Sequence, residues 1–134
     1  MAKSRPKPLS QIDFQPWQTA SRTNKERLGY AKIGNSLFRS SPYQSLKLSS
    51  RALYPQLIGI AGGKKEFLLS NSRGAELCGM SETTFKRAMS ELKEKGFLEK
   101  CPDDDMSQFE TNKYVFSSRW KDSMTEEERK RYTG

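Results

Sequence analysis

The sequence predicts an α+β domain, mainly α with a small β-hairpin, in the order helix, strand, helix, turn, helix, hairpin. Three observations carry this expectation. Phe85, Ala88, Met89 and Leu92 recur at i, i+3, i+4, i+7, which is one face of a helix. Ser70 with Gly79, and then Ser81 with Gly96, bracket two segments in the way that N-caps and left-handed stops do. Residues 97–100 and 112–116 have strand composition, with Tyr114 and Phe116 on one face by alternation.

Taken in order, residues 1–29 contain Pro6, Pro8 and Pro16, show no sustained periodicity, and read as a flexible basic N-terminal arm. Within it Ile12, Phe14 and Trp17 are expected to pack back on the domain, with docking to a partner as the other option. Residues 30–121 form the domain, and residues 122–134 a short C-terminal helix or tail. A short strand or extended segment is expected at 30–33. Leu37, Phe38, Tyr43, Leu46 and Leu48 then lead into a helix capped by Ser49 or Ser50. Leu48, Ala52, Leu53, Leu57 and Ile60 are assigned to its buried face, with a kink expected at Pro55 because proline removes the bond to the Arg51 carbonyl. Gly62 and Gly63 end it. Gly59, Gly62, Gly63 and Lys64 lack the spacing of a phosphate-binding loop, so this is a turn.

Phe67, Leu68 and Leu69 form a short apolar run of strand type. Ser70 caps a brief helix to about Cys78, with Ala75 and either Leu77 or Cys78 inward. Gly74 within it costs about 1 kcal/mol of helix propensity and implies close approach of a neighbouring backbone. The third helix runs from its Ser81 cap to Gly96, where Leu92 and Phe97 are placed for the contact of a Schellman motif. Trp120 is expected to cover the hairpin or the first helix. Thr125 to Arg131 has an acidic start and a basic end suited to a short helix.

The formal net charge is +8, with 24 Lys and Arg against 16 Asp and Glu. Residues 30–62 contribute four bases and no acid, whereas Asp103, Asp104, Asp105 and Glu110 make the hairpin tip acidic. A basic chain of this kind suits a polyanionic partner. The absence of histidine removes imidazole-based triads and imidazole metal sites, and Cys78 and Cys101 cannot form a metal cluster on their own. No enzyme activity and no cofactor are therefore expected. No apolar run reaches the roughly 20 residues of a membrane span, and the first ten residues lack a signal-peptide stretch. A cytoplasmic, nucleoid-associated protein with no membrane partner is expected.

Residues 70–98, SNSRGAELCGMSETTFKRAMSELKEKGFL, resemble the helix-turn-helix of GntR- and MarR-type bacterial regulators. They are also similar to the winged-helix domains of phage and plasmid replication-initiation proteins. The likeness rests on Ala75, Gly79, Ser81, Thr83, Thr84, Arg87, Ala88, Leu92, Gly96 and Leu98. It implies a winged helix-turn-helix whose helix 81–95 enters the major groove of double-stranded DNA. The recognition residues would be Ser81, Glu82, Thr83, Thr84, Lys86, Arg87 and Ser90, with Ser70, Arg73 and Lys113 on the DNA backbone. It further implies transcription regulation or a replication accessory or initiation role in a phage, plasmid or other mobile element, with a replication or transcription protein as a further partner. A homodimer would use the C-terminal helix or the N-terminal arm. The alternative is a winged-helix protein-interaction module that docks through the acidic wing and the aromatic arm.

Overall fold

The computed structural model describes residues 31–102 and 111–133. The arm with Ile12, Phe14 and Trp17, and the acidic tip with Asp103, Asp104, Asp105 and Glu110, lie outside them. The architecture is α+β. Among the described residues there are six α-helices and a three-stranded antiparallel sheet. Two short helices, α1 (Asn35–Phe38) and α2 (Ser41–Gln44), precede α3 (Leu48–Ala61). Strand β1 (Glu66–Ser70), α4 (Asn71–Cys78) and α5 (Glu82–Glu94) follow. Strands β2 (Leu98–Lys100) and β3 (Thr111–Phe116) form the hairpin, and a 3-10 turn (Arg119–Ser123) leads to α6 (Glu126–Thr133). The sheet order is β1-β3-β2, so the lone strand before α4 joins the hairpin's second strand, with Phe67 opposite Tyr114.

The caps and stops of α4 and α5 stand where local chemistry puts them. Ser70 Oγ accepts from the Arg73 N–H at 3.1 Å, and Ser81 Oγ from the Thr84 N–H at 3.1 Å. Gly79 and Gly96 have φ of 64° and 86°, the left-handed region that glycine enters without steric cost. Behind each, a Schellman bond closes the helix: Met80 N–H to Ala75 O and Phe97 N–H to Leu92 O, both 2.9 Å. At Gly96 a side chain is doubly excluded, because a Cβ would lie 2.9 Å from the Trp120 backbone nitrogen.

The core lies between α3, α5 and the inner face of the sheet. Leu53, Leu57, Phe85, Leu92, Phe97 and Leu98 are fully buried. Phe97 is the hub of the aromatic packing. Tyr43 and Tyr54 meet it edge-on at 6.1 and 5.6 Å, and Trp120 stacks on it at 5.7 Å with the rings 1° from parallel. Trp120 thus covers the residue that opens the hairpin, and its backbone N–H holds the Gly96 carbonyl at 3.1 Å. Helix α6 begins with a capping box in which Thr125 and Glu128 exchange bonds, and the second Glu128 oxygen accepts from the Ser41 N–H at 2.8 Å.

Several expectations are corrected. Residues 31–34 join no strand. Helix α3 starts after Lys47, which makes no side-chain cap bond, and Ser50 is a buried interior residue that donates to the Ala88 carbonyl at 3.5 Å. The inward face of α3 is Ser50, Leu53, Tyr54, Leu57 and Ala61. Leu48 is 78% exposed and Ala52 is exposed, because packing on α5 rotates the helix away from the face that carries them. Pro55 lies inside the helix, as expected, and does not interrupt it. Of the two alternatives left open in α4, Cys78 is the one that turns inward, with Ala75 as expected, while Leu77 is exposed. Gly74 admits a side chain rather than a backbone: a Cβ there would fall within 2.6 and 2.9 Å of Phe85 Cε2 and Cε1, and closer still to Cζ.

Candidate nucleic-acid interface

Helix α5 has two faces set by its period. Phe85, Ala88, Met89 and Leu92 are at most 2% exposed, and the complementary positions Thr83, Lys86, Arg87 and Ser90 are exposed. The inner stripe is held by α4 on one side and α3 on the other, so the outer stripe is presented on a fixed support. Ser81 and Glu82 are exposed at its start, with Thr84 half-buried. The Ser81 and Thr84 hydroxyls are partly committed, since Ser81 Oγ also donates to Thr84 Oγ1 at 2.9 Å. Glu82 and Lys86 form an i, i+4 pair at 3.5 Å, whereas Arg87 makes no ion pair among the described residues.

Lys86, Arg87 and Ser90 line a shallow groove of about 480 Å³ together with Lys47, Glu91, Glu94 and Lys95. Four cations therefore face two carboxylates. One carboxylate is already engaged: Glu91 Oε1 accepts the Lys47 N–H at 3.0 Å, which ties the start of α3 to the middle of α5. Lys47 and Lys95 were not among the expected site residues. Lys95 continues the stripe at helical spacing from Arg87 and Glu91, a signal legible in the sequence. Lys47 reaches the groove only through the packing of α3 on α5.

The three expected backbone contacts lie elsewhere. Ser70 and Arg73 adjoin at the start of α4, where the Ser70 hydroxyl caps the helix and Arg73 pairs with Glu76 at 3.3 Å. Lys113 pairs with Glu66 at 3.1 Å and lines a separate cleft beside β1. Both cysteines are free, and burial pushes the Cys78 thiol up. Among the described residues no cluster of Cys, Asp or Glu is arranged to hold a metal ion. No described helix is long and apolar enough to cross a membrane. Comparison with known protein families, curated proteins and solved structures finds no match to this chain.

Proposed function

We propose that this chain is a winged helix-turn-helix protein that binds double-stranded DNA without catalysing a reaction, with α5 in the major groove and β2–β3 as the base of the wing. The observation that carries the reading is the outer stripe of α5, in which Thr83, Lys86, Arg87 and Ser90 are exposed beside a groove with Lys47 and Lys95. A helix about 10–12 Å across fits a major groove about 12 Å wide, and short hydroxyls with long cations suit base edges and phosphates. The order of elements supports the same reading, because α3, β1, α4, α5 and the β2–β3 hairpin follow one another in the order that the winged-helix resemblance of residues 70–98 implies. The role that follows is transcription regulation or replication accessory work on DNA, in the manner of the regulators and initiation proteins that residues 70–98 resemble.

The test is selection of bound duplexes from a randomised pool, followed by titration of wild type and of the Lys86→Ala/Arg87→Ala double variant. Both side chains are exposed, so the variant melts within about 0.5 kcal/mol of wild type. Its affinity for the selected sequence falls by roughly 1–3 kcal/mol for each side chain that hydrogen-bonds a base edge. Wild-type affinity drops steeply with salt, by a slope of about −0.9 per phosphate neutralised. Unchanged affinity in the double variant sinks the assignment of α5.

A further inference from the structure

Among the described residues the sheet has an open edge, and its chemistry differs from that of the α5 face. Hydrogen bonds in an antiparallel pair alternate along each strand, so one bond fixes the phase of the rest. The Phe116 N–H bonds to the Lys65 carbonyl at 3.0 Å, with Glu66 opposite Val115 and Phe67 opposite Tyr114. Phe67 and Leu69 therefore turn their backbone groups toward β3, and Glu66 and Leu68 turn theirs away from it. The other side of β3 agrees, because the Cys101 N–H bonds to the Lys113 carbonyl at 2.8 Å and directs that residue to β2. Strand β1 stands at the end of the sheet order, and no described residue hydrogen-bonds to the outward groups of Glu66 and Leu68.

A cleft of about 780 Å³ adjoins β1, lined by Ile60 and Ala61 at the end of α3, by Lys64 to Leu68, and by Lys113. Phe67 points into the core and Leu68 away from it, and the cleft touches both. Leu68 is 51% exposed, an apolar side chain on a strand whose outer edge has no partner among the described residues. Glu66 and Lys113 neutralise each other at 3.1 Å, which leaves Lys64 and Lys65 as the cleft's unbalanced charges.

We infer that the free edge of β1 is a docking site for an extended acidic segment of a partner protein, which adds as a fourth strand. The alternation of donors and acceptors decides the class of ligand. A nucleic-acid backbone offers phosphate acceptors and would leave the outward carbonyls of Glu66 and Leu68 without donors, whereas a peptide strand satisfies both. Apolar side chains of the segment rest on Ile60 and Leu68, and carboxylates lie beside Lys64 and Lys65. This site is independent of the DNA reading and stands if that reading fails.

The experiment follows backbone amide signals of the ¹⁵N-labelled full chain by NMR during titration with a capped peptide alternating valine and glutamate. The Glu66 and Leu68 amides are expected to shift and gain protection from exchange, while those of α5 stay in place. The Lys64→Glu/Lys65→Glu variant, altered only at exposed side chains, weakens the peptide by roughly tenfold, about two rim charge pairs. Leu68→Pro removes an outward N–H and abolishes binding, with its melt as the control for folding. A peptide N-methylated at alternate residues does not bind wild type, which decides the point even if Leu68→Pro unfolds. The Lys86→Ala/Arg87→Ala variant retains the peptide. Equal binding of a valine–lysine peptide, binding of the N-methylated peptide, absence of any shift at Glu66 and Leu68, or shifts there on adding duplex DNA instead would each overturn the proposal.

Discussion

The Tyr43 hydroxyl donates a 2.6 Å hydrogen bond to the Arg51 carbonyl, the acceptor that Pro55 deprives of its helical donor. Proline inside a helix leaves the carbonyl four residues back unpaired, and a partly buried carbonyl without a partner costs about 1–3 kcal/mol. Here a residue from the helix before α3 supplies the missing donor, and α3 continues past Pro55. Tyr43→Phe is therefore expected to destabilise the protein by about 1–3 kcal/mol in urea melts. Pro55→Ala returns an N–H to the same carbonyl, so Tyr43→Phe costs less in that background. Equal costs in the two backgrounds would show that Tyr43 acts through ring packing alone.

Gly74→Ala tests the contact between α4 and α5. Helix propensity favours alanine by about 1 kcal/mol at an interior position. The added methyl, however, meets the end of the fully buried Phe85 ring, and overpacking of this kind costs about 1–3 kcal/mol. Overpacking wins, so the variant melts below wild type. Phe85→Leu combined with Gly74→Ala recovers part of that loss, because the shorter side chain vacates the space. A more stable Gly74→Ala single variant would mean that α4 slides away from Phe85 at little cost.

Alkaline pH addresses Tyr54. Burial, with a smaller contribution from the neighbouring Tyr43, pushes its phenol up to about 12 from the usual 10.0. The folded protein thus keeps a proton that the unfolded chain releases, and stability falls as pH rises between those two values. Below 10.0 this contribution is constant. Denaturant melts across this range should show the decline, and Tyr54→Phe should flatten it. A wild-type decline of the same slope in the variant would move the effect to other groups, of which Tyr43 is shifted in the same direction.

The helix from Ser81 to Gly96 was legible because cap, stripe and stop are all local, and no distant contact is needed to place its buried face. The phase of α3 was not. Apolar residues run almost around that helix, from Leu48 through Leu53, Tyr54, Leu57, Ile58 and Ile60, so several faces satisfy the spacing. What selects among them is tertiary: Ser50 against the Ala88 carbonyl, Tyr43 on Arg51, and Lys47 on Glu91 44 residues away. The same contact brings Lys47 to the groove beside Arg87, which explains why the cationic stripe was readable and its outlying member was not. The role of Gly74 was half legible. Its demand for space was visible, but the occupant of that space depends on which ring α5 turns toward α4.

The pairing of Glu82 with Lys86 at 3.5 Å sets the last expectation, which rests on the DNA reading of α5. Both side chains are about half exposed, so the pair contributes only about 0.3–0.5 kcal/mol to the fold. Its larger effect is electrostatic, because Glu82 holds one of the two central cations and sets a negative charge against approaching phosphates. Glu82→Gln should leave the melt nearly unchanged, release Lys86, and tighten duplex binding for all sequences alike. The gain should be larger at low salt, where the Debye length reaches about 30 Å at 0.01 M, than at 0.15 M, where it is about 8 Å. Anisotropy titrations of the selected duplex and of an unrelated one, at both salts, provide the comparison. A loss of affinity confined to the selected duplex, with relaxed preference at a single cytosine, would instead assign Glu82 to a base contact.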